Sequence, residues 1–199
     1  MSTAMLDVTP AKGVRTRQAL LDEAIAHFAA VGRRGTSVSS IARQAGLTPS
    51  AVYVYFPSKQ ALFDAAVDAD AAGLIADALP ELLAGAFDGN FGQVFARLLA
   101  CLPAHPLAQR VLSGDEGTGA ERLTQLPAEL RLHEGLTAAL RRGQREGTVR
   151  SDIDPALCAI GLESIVVALL IAILQTGGDP DPRSSAGVLA VLNAAIYTP

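Results

Sequence analysis

The sequence predicts an all-α chain with a small basic head and a larger acidic body. Three observations lead there. Hydrophobic residues make up 50% of the 199 residues and aromatics only 5%, so Ala and Leu dominate, and both lose little on entering a helix. Apolar positions recur at helical spacing, and period-two alternation is almost absent. Charge is uneven: residues 11–60 carry Lys12, Arg15, Arg17, Arg33, Arg34, Arg43 and Lys59 against only Asp22 and Glu23, although the whole chain has net charge −4. The apolar content excludes a mostly disordered chain. The length allows one domain, or two small ones in contact.

Capping chemistry sets the helix boundaries. A first helix over 16–31 carries Ala19, Leu20, Ala24, Ile25, Phe28 and Ala29 and stops at Gly32, and Arg33-Arg34-Gly35 forms a basic turn. The second begins near Ser37, with Thr36 or Ser37 as N-cap, and Gly46 closes it. Thr48 caps a short third helix with Pro49 at its first position, and Pro57 ends it. Ser58 caps a fourth over 59–78. Pro80 opens a short piece to Phe87, and Asp88-Gly89-Asn90 breaks the chain. A helix over 91–102, a turn bracketed by Pro103 and Pro106, and a short helix to Leu112 follow. Gly114 to Gly119 is a loop, and 120–146 is helical with Pro127 near its entry. Asp154-Pro155 opens an apolar helix to Gln175, closed by Gly177-Gly178, and Asp181-Pro182 opens a last helix to about Tyr197.

The cysteines, Cys101 and Cys158, are neither a disulfide framework nor a metal-ligand spacing. Cys101 could sense oxidation, but a buried inert thiol is the ordinary reading. A reducing, cytoplasmic location is expected. The start, MSTAMLDVTPAKGVRTR, lacks the apolar core of a signal peptide, and 1–12 reads as a flexible arm. Residues 155–174 approach the length of a membrane span. Yet the uninterrupted apolar run extends only from Ile165 to Leu174, and Glu163 and Ser164 lie inside the wider segment. A buried helix of a soluble assembly is expected, with no membrane partner.

Residues of about 36–55 read as helix, tight turn, helix, with a second helix too short to stand alone and free to enter a major groove. The run Thr36-x-x-x-x-Ile41-Ala42-x-x-Ala45-Gly46-Leu47-Thr48-x-x-x-Val52-Tyr53-x-Tyr55-Phe56-x-Ser58-Lys59-x-x-Leu62 resembles the N-terminal DNA-binding domain of the tetracycline-repressor (TetR) family. The likeness covers residues 13–73, with Ser50 where Gly is frequent. A Gly147-x-Val149-Arg150-x-Asp152 run and two final helices resemble the family less specifically. The resemblance implies an N-terminal three-helix DNA-binding domain with a helix-turn-helix. It also implies a C-terminal helical ligand-binding and dimerisation domain over 74–199, and phosphate contacts at Tyr53, Tyr55 and Lys59. Thr48 and the start of the third helix can also reach phosphate. Pro49, Ser50, Ala51 and Val54 are candidates for base edges. Thr36 and Arg43 complete the expected contact set, and Arg43 or Gln44 could swing in from the second helix. Lys12, Arg15 and Arg17 either follow the DNA from the arm or form a solvated helix start.

The apolar helix over 155–175 needs cover on more than one side. With the last helix it predicts a homodimer interface through Ile165, Leu169, Ile173, Val188, Leu192 and Ile196, and hence a palindromic double-stranded operator. The resemblance also implies an effector cavity walled by helices of about 59–78, 91–112, 120–146 and 155–175. Plausible linings are Phe87, Phe91, Phe95, Leu98, Leu102, Leu112, Leu136, Leu140 and Ile160. His105 and Glu163 are its possible polar contacts, Glu163 serving either ligand or dimer. Such walls suit a small hydrophobic or amphipathic molecule. No cofactor, metal or catalytic residue is expected: His27, His105 and His133 are scattered, and no nucleophile or phosphate-loop motif appears. The leading function is a repressor released from DNA by its ligand. The alternatives are an architectural DNA-binding protein without ligand and an all-helical enzyme.

Overall fold

A computed structural model describes residues 12–83, 91–116, 127–177 and 181–198. The helices are α1 (Lys12–Gly35), α2 (Val38–Gln44), α3 (Pro49–Tyr55), α4 (Lys59–Ala78), α5 (Pro80–Leu83), α6 (Phe91–Cys101), α7 (Pro106–Leu112), α8 (Pro127–Glu146), α9 (Pro155–Thr176) and α10 (Pro182–Ile196). A single 3-10 turn, Leu102–Ala104, links α6 to α7. Among the described residues there is no strand, only an isolated bridge between Val149 and Tyr197. Of the arm expected over 1–12, residues 1–11 lie outside the described residues and Lys12 opens α1; the break at 88–90 and the stretch at 120–126 also lie outside them. By contact the chain divides into two compact units, residues 1–66 and 67–199.

The first unit is held by one apolar cluster. Leu20, Leu21, Ala24 and Phe28 of α1, Val38, Ile41 and Ala42 of α2, Val52 of α3, and Phe56, Leu62 and Phe63 are buried. Phe28 and Phe63 meet edge to face at 5.0 Å between centroids, a favoured aromatic geometry. Gly32 takes φ 74, a left-handed value that kinks α1 instead of ending it. The backbone of 33–35 therefore continues as one more helical turn, where a plain basic turn was expected. Gly46, at φ 69, turns the chain between α2 and α3.

The second unit buries Leu74 and Ala78 of α4, Leu82 of α5, Leu98 of α6, Leu112 of α7, Leu136 and Leu140 of α8, and Ala159, Leu162 and Leu170 of α9. Its last helices start where side chains accept from open backbone N–H groups. Asp154 accepts from Ala156 and Leu157 at 2.8 and 3.1 Å, and Asp181 from Ser184 at 2.9 Å. These bonds hold the Asp181 carboxyl below its usual range, its contacts with the Ser184 hydroxyl being the largest cause. The Gly147–Asp152 run forms the turn after α8, and the chain end returns to it. Arg150 N–H donates to the Ile196 carbonyl at 3.0 Å, and Thr198 N–H to that of Thr148 at 3.2 Å.

Two polar groups of this core are treated in opposite ways. Asp70 of α4 caps α7 from outside that helix. Its Oδ2 accepts from Leu107 and Ala108 N–H at 2.9 and 2.8 Å, and its Oδ1 lies 3.2 Å from His105 Nδ1. The other ring nitrogen of His105 lies 3.2 Å from Asp77 Oδ2. The ring spans α4 over Gly73, where a Cβ would stand 2.8 Å from His105 Cε1. Glu163 of α9 is buried with much less support: its Oε1 lies 3.4 Å from His133 Nδ1 without hydrogen-bond geometry. Burial raises its carboxyl above the usual range, and His133 opposes the rise.

Two outcomes are expected. Asp70→Ala leaves the α7 N–H groups uncapped and lowers unfolding free energy by about 2 kcal/mol, read by urea unfolding. For Glu163, a folded pKa above the unfolded one means stability that is full at pH values below the unfolded carboxyl range and is lost as pH rises through the raised folded pKa. Glu163→Gln removes that loss. The variant is expected to equal or exceed the native protein in melting temperature near neutral pH and to lose its advantage in acid, read by thermal melts across pH.

Candidate DNA interface and effector cleft

In the first unit, α3 separates inward from outward side chains by helical period. Val52 and Phe56 are 1% and 3% exposed, whereas Tyr53 and Val54 are 49% and 80% exposed. Thr48 caps the helix, its Oγ1 accepting from Ala51 N–H at 3.3 Å and lying 3.0 Å from Ser50 Oγ. Thr48, Pro49, Ser50, Tyr53 and Val54 thus share one exposed face at the helix N-terminal end. Ala51, Tyr55 and Lys59 are half-buried at its margin, and Arg43 is exposed on α2. Arg17 lies with its guanidinium 5.0 Å from the Phe56 ring centroid, a cation–π contact that the sequence did not signal.

Thr36 requires a correction. It is buried, its hydroxyl donates to the Gly32 carbonyl at 2.8 Å and lies 3.2 Å from that of His27, and its N–H bonds Gly32 as well. It braces the kink of α1, with its side chain turned to the interior.

In the second unit, a cavity of about 320 Å³ lies between α6, α9 and α10. Its walls include Phe95 and Leu99, Leu162, Val166 and Leu169, and Leu189. Its polar groups are Asp181, Ser184 and Ser185 at the start of α10. Of the residues expected to line an effector site, Phe95 lines this cleft. Leu98, Leu102, Leu112, Leu136 and Leu140 are buried in the closed core. His105 is held between Asp70 and Asp77. Ile160 points outward, 51% exposed. Phe91 is the first residue of α6, and Phe87 lies outside the described residues. Cys101 and Cys158 are partly buried free thiols.

The residues expected at the dimer interface divide between the cleft and the core, and Ile165 among them is 36% exposed. Ile165, Leu169, Ile173, Val188 and Leu192 line the cleft, and Ile196 is 3% exposed within the core. The outward stripe comprises Leu157, Ile160, Gly161, Ser164, Ile165 and Ala168 of α9, with Gly187, Ala190, Val191 and Ala194 of α10. A helix apolar on every side carries no period from which its faces could be told. By length and composition α9 could also cross a membrane, and only 22% of its most apolar window is buried.

Comparison with known proteins bears on both units. Residues 20–66 match the model of the bacterial regulatory proteins of the tetR family. The HTH-type transcriptional regulator YdgC of Bacillus subtilis (strain 168), itself uncharacterized, is 42% identical over 52 residues, which are 26% of this chain and 27% of that protein. The match therefore spans about a quarter of that relative's length. SmeT, the repressor of the Stenotrophomonas maltophilia multidrug efflux pump SmeDEF, is similar in structure over 92% of this chain and 90% of its own, with TM-score 0.65 and 21% identity. FadR of Bacillus subtilis, solved in complex with stearoyl-CoA, is similar over 90% of this chain and 99% of its own, with TM-score 0.61 and 19% identity. At such identities the structural likeness is one of fold. Residues 20–66 thus match the tetR-family model, and the chain as a whole is similar in fold to SmeT and FadR.

Proposed function

We propose that the chain is a cytoplasmic, ligand-responsive repressor. In this reading it binds a palindromic operator as a homodimer and leaves it when a small hydrophobic or amphipathic effector enters the body. The observation that carries the reading is the exposed N-terminal face of α3, on a helix short enough to lie in a major groove. Tyr53, Tyr55 and Lys59 serve phosphates, with Thr48 at the helix start. Pro49, Ser50, Ala51 and Val54 meet base edges, and Arg43 reaches in from α2. No Arg, Asn or Gln lies between Thr48 and Phe56, so bidentate reading of purines from α3 is absent. Discrimination rests on thymine methyl contacts and DNA shape.

The outward stripe of α9 and α10 supports dimerisation. Leu157 and Val191 are 68% and 69% exposed, and Gly161, Ser164, Ala168 and Gly187 are small enough to let a second copy approach closely. A twofold pair of such faces gives two recognition helices and a palindromic site. The apolar cleft supports an effector of like character, and FadR is a similar fold solved with an acyl ligand. The helix α4 is continuous from Lys59 to Ala78, so a ligand that displaces its second half is felt at its first. Ligand and DNA then favour different states, and each weakens the other's binding.

A mobility shift with the DNA upstream of the protein's own gene, at stated salt and with nonspecific competitor, tests the reading. The native protein is expected to give a specific shift. Tyr53→Phe with Lys59→Ala weakens it about tenfold, and loss of Lys59 lowers the salt slope by about 1. Equal binding to unrelated DNA, or no effect of the double variant, would overturn the operator reading. Ile160→Arg, on the outward stripe, is expected to sediment as a monomer and lose operator affinity. A dimer that survives it, and survives Val191→Arg, places the interface elsewhere.

A further inference from the structure

Two arginines of the first unit lie over aromatic rings, and they end differently. Arg33, half-buried in the last turn of α1, has its guanidinium 5.7 Å from the Phe63 ring centroid. It also donates to Gln60 Oε1, and Gln60 donates to Asp64 Oδ1 at 2.6 Å. That guanidinium is occupied within the protein. Arg17, toward the other end of α1, has its guanidinium 5.0 Å from the Phe56 ring centroid. Phe56 is 3% exposed and Arg17 is exposed, so the guanidinium covers the ring from the solvent side. Among the described residues it has no hydrogen-bond or carboxylate partner. Helix spacing explains why. An acid three or four residues away would pair with it, but those positions hold Gly13, Val14, Leu20 and Leu21. Asp22, the next acid along α1, accepts from Gln18 at 2.9 Å.

The place of the ring decides what this charge can do. Phe56 is the C-cap of α3. Tyr55 precedes it in the chain, and Lys59 opens α4 just after it. A guanidinium that stacks by its face keeps its N–H donors at the edge. Such an edge presents paired donors that match phosphate oxygens. Stacking also fixes the side chain beforehand, so less freedom is lost when a phosphate arrives. Neither role that the sequence left open for Arg17, a solvated helix start or an arm along the DNA, places it at the end of α3, and the contact with Phe56 does.

We propose that Arg17, held over Phe56, contacts a backbone phosphate of DNA at the C-terminal end of α3, beside the contacts assigned to Tyr55 and Lys59. The proposal rests on the DNA-binding reading and adds to it a residue outside the helix-turn-helix. A phosphate contact carries no base information. Arg17 therefore strengthens binding to any duplex, and its charge enters the salt dependence.

Two variants separate a phosphate contact from a mere cover for the ring. Arg17→Met keeps the apolar cover and removes the charge. Arg17→Lys keeps the charge and loses the planar fork. Binding of the full-length protein is read by fluorescence anisotropy over a range of salt. The probes are the duplex upstream of its own gene and an unrelated duplex of equal length, and melting curves check folding. Arg17→Met is expected to weaken binding to both duplexes about tenfold, to lower the salt slope by about 1 on each, and to leave melting unchanged. Arg17→Lys keeps the slope and weakens binding several-fold. Native affinity in Arg17→Met would make Arg17 a cover and overturn the proposal. So would a loss of affinity that comes with lowered melting and an unchanged slope, or a loss confined to one duplex, which is base readout. Equal native binding to both duplexes, with the slope lowered in Arg17→Met, would leave the phosphate contact standing and remove the operator reading. Specific native binding that Arg17→Met leaves intact would do the reverse, and a native protein that binds neither duplex would overturn both.

Discussion

A helix of seven residues has almost no stability of its own in water, and α3, whose outer face is exposed, is of that length. Everything about the first unit follows from that constraint. Val52 and Phe56 are given wholly to the interior, where α1, α2 and the start of α4 surround them. A threonine cap and a proline at the first position set the helix start without help from the core. What remains of α3 is an outward strip through Ser50, Tyr53 and Val54, free of any part in the interior. Thr36 lies on the other side of this division. Its side chain holds the kink beneath.

The body meets the same problem of buried polar groups with two answers. Asp70 is surrounded by donors, two from the start of α7 and one from His105, so its burial binds two segments 37 residues apart. Glu163 sits among aliphatic side chains with a single, poorly aligned neighbour. An unsatisfied buried acceptor costs about 1–3 kcal/mol, and a protein keeps such a cost where the group has another task. The contrast between the two carboxylates, rather than either alone, marks α8 and α9 as the place where the body departs from simple packing.

Local chemistry made the helix boundaries legible in the sequence. Thr48-Pro49, Asp154-Pro155 and Asp181-Pro182 each join a side-chain cap to a ring that cannot donate, and each opens a helix at that point in the structure. The recognition helix was legible for the same reason, since its motif is contiguous. The body's polar partners were not. Asp70 meets Leu107, and His133 meets Glu163, across separations that no local pattern encodes. The faces of α9 were hidden too, because Leu157 and Leu169 are the same residue and only the packing of α6 and α10 leaves one outward and places the other in the cleft.

The end of the chain closes a ring. The bonds from Arg150 to Ile196 and from Thr198 to Thr148 join the two ends of a stretch that contains both α9 and α10. Closing such a long loop costs entropy, which the packing of Leu189, Leu192 and Ile196 and the two backbone bonds offset together. The outward stripe is therefore a product of tertiary closure: loosening the bonds at Arg150 and Thr198 would free α10 and with it half of the apolar face that it shares with α9.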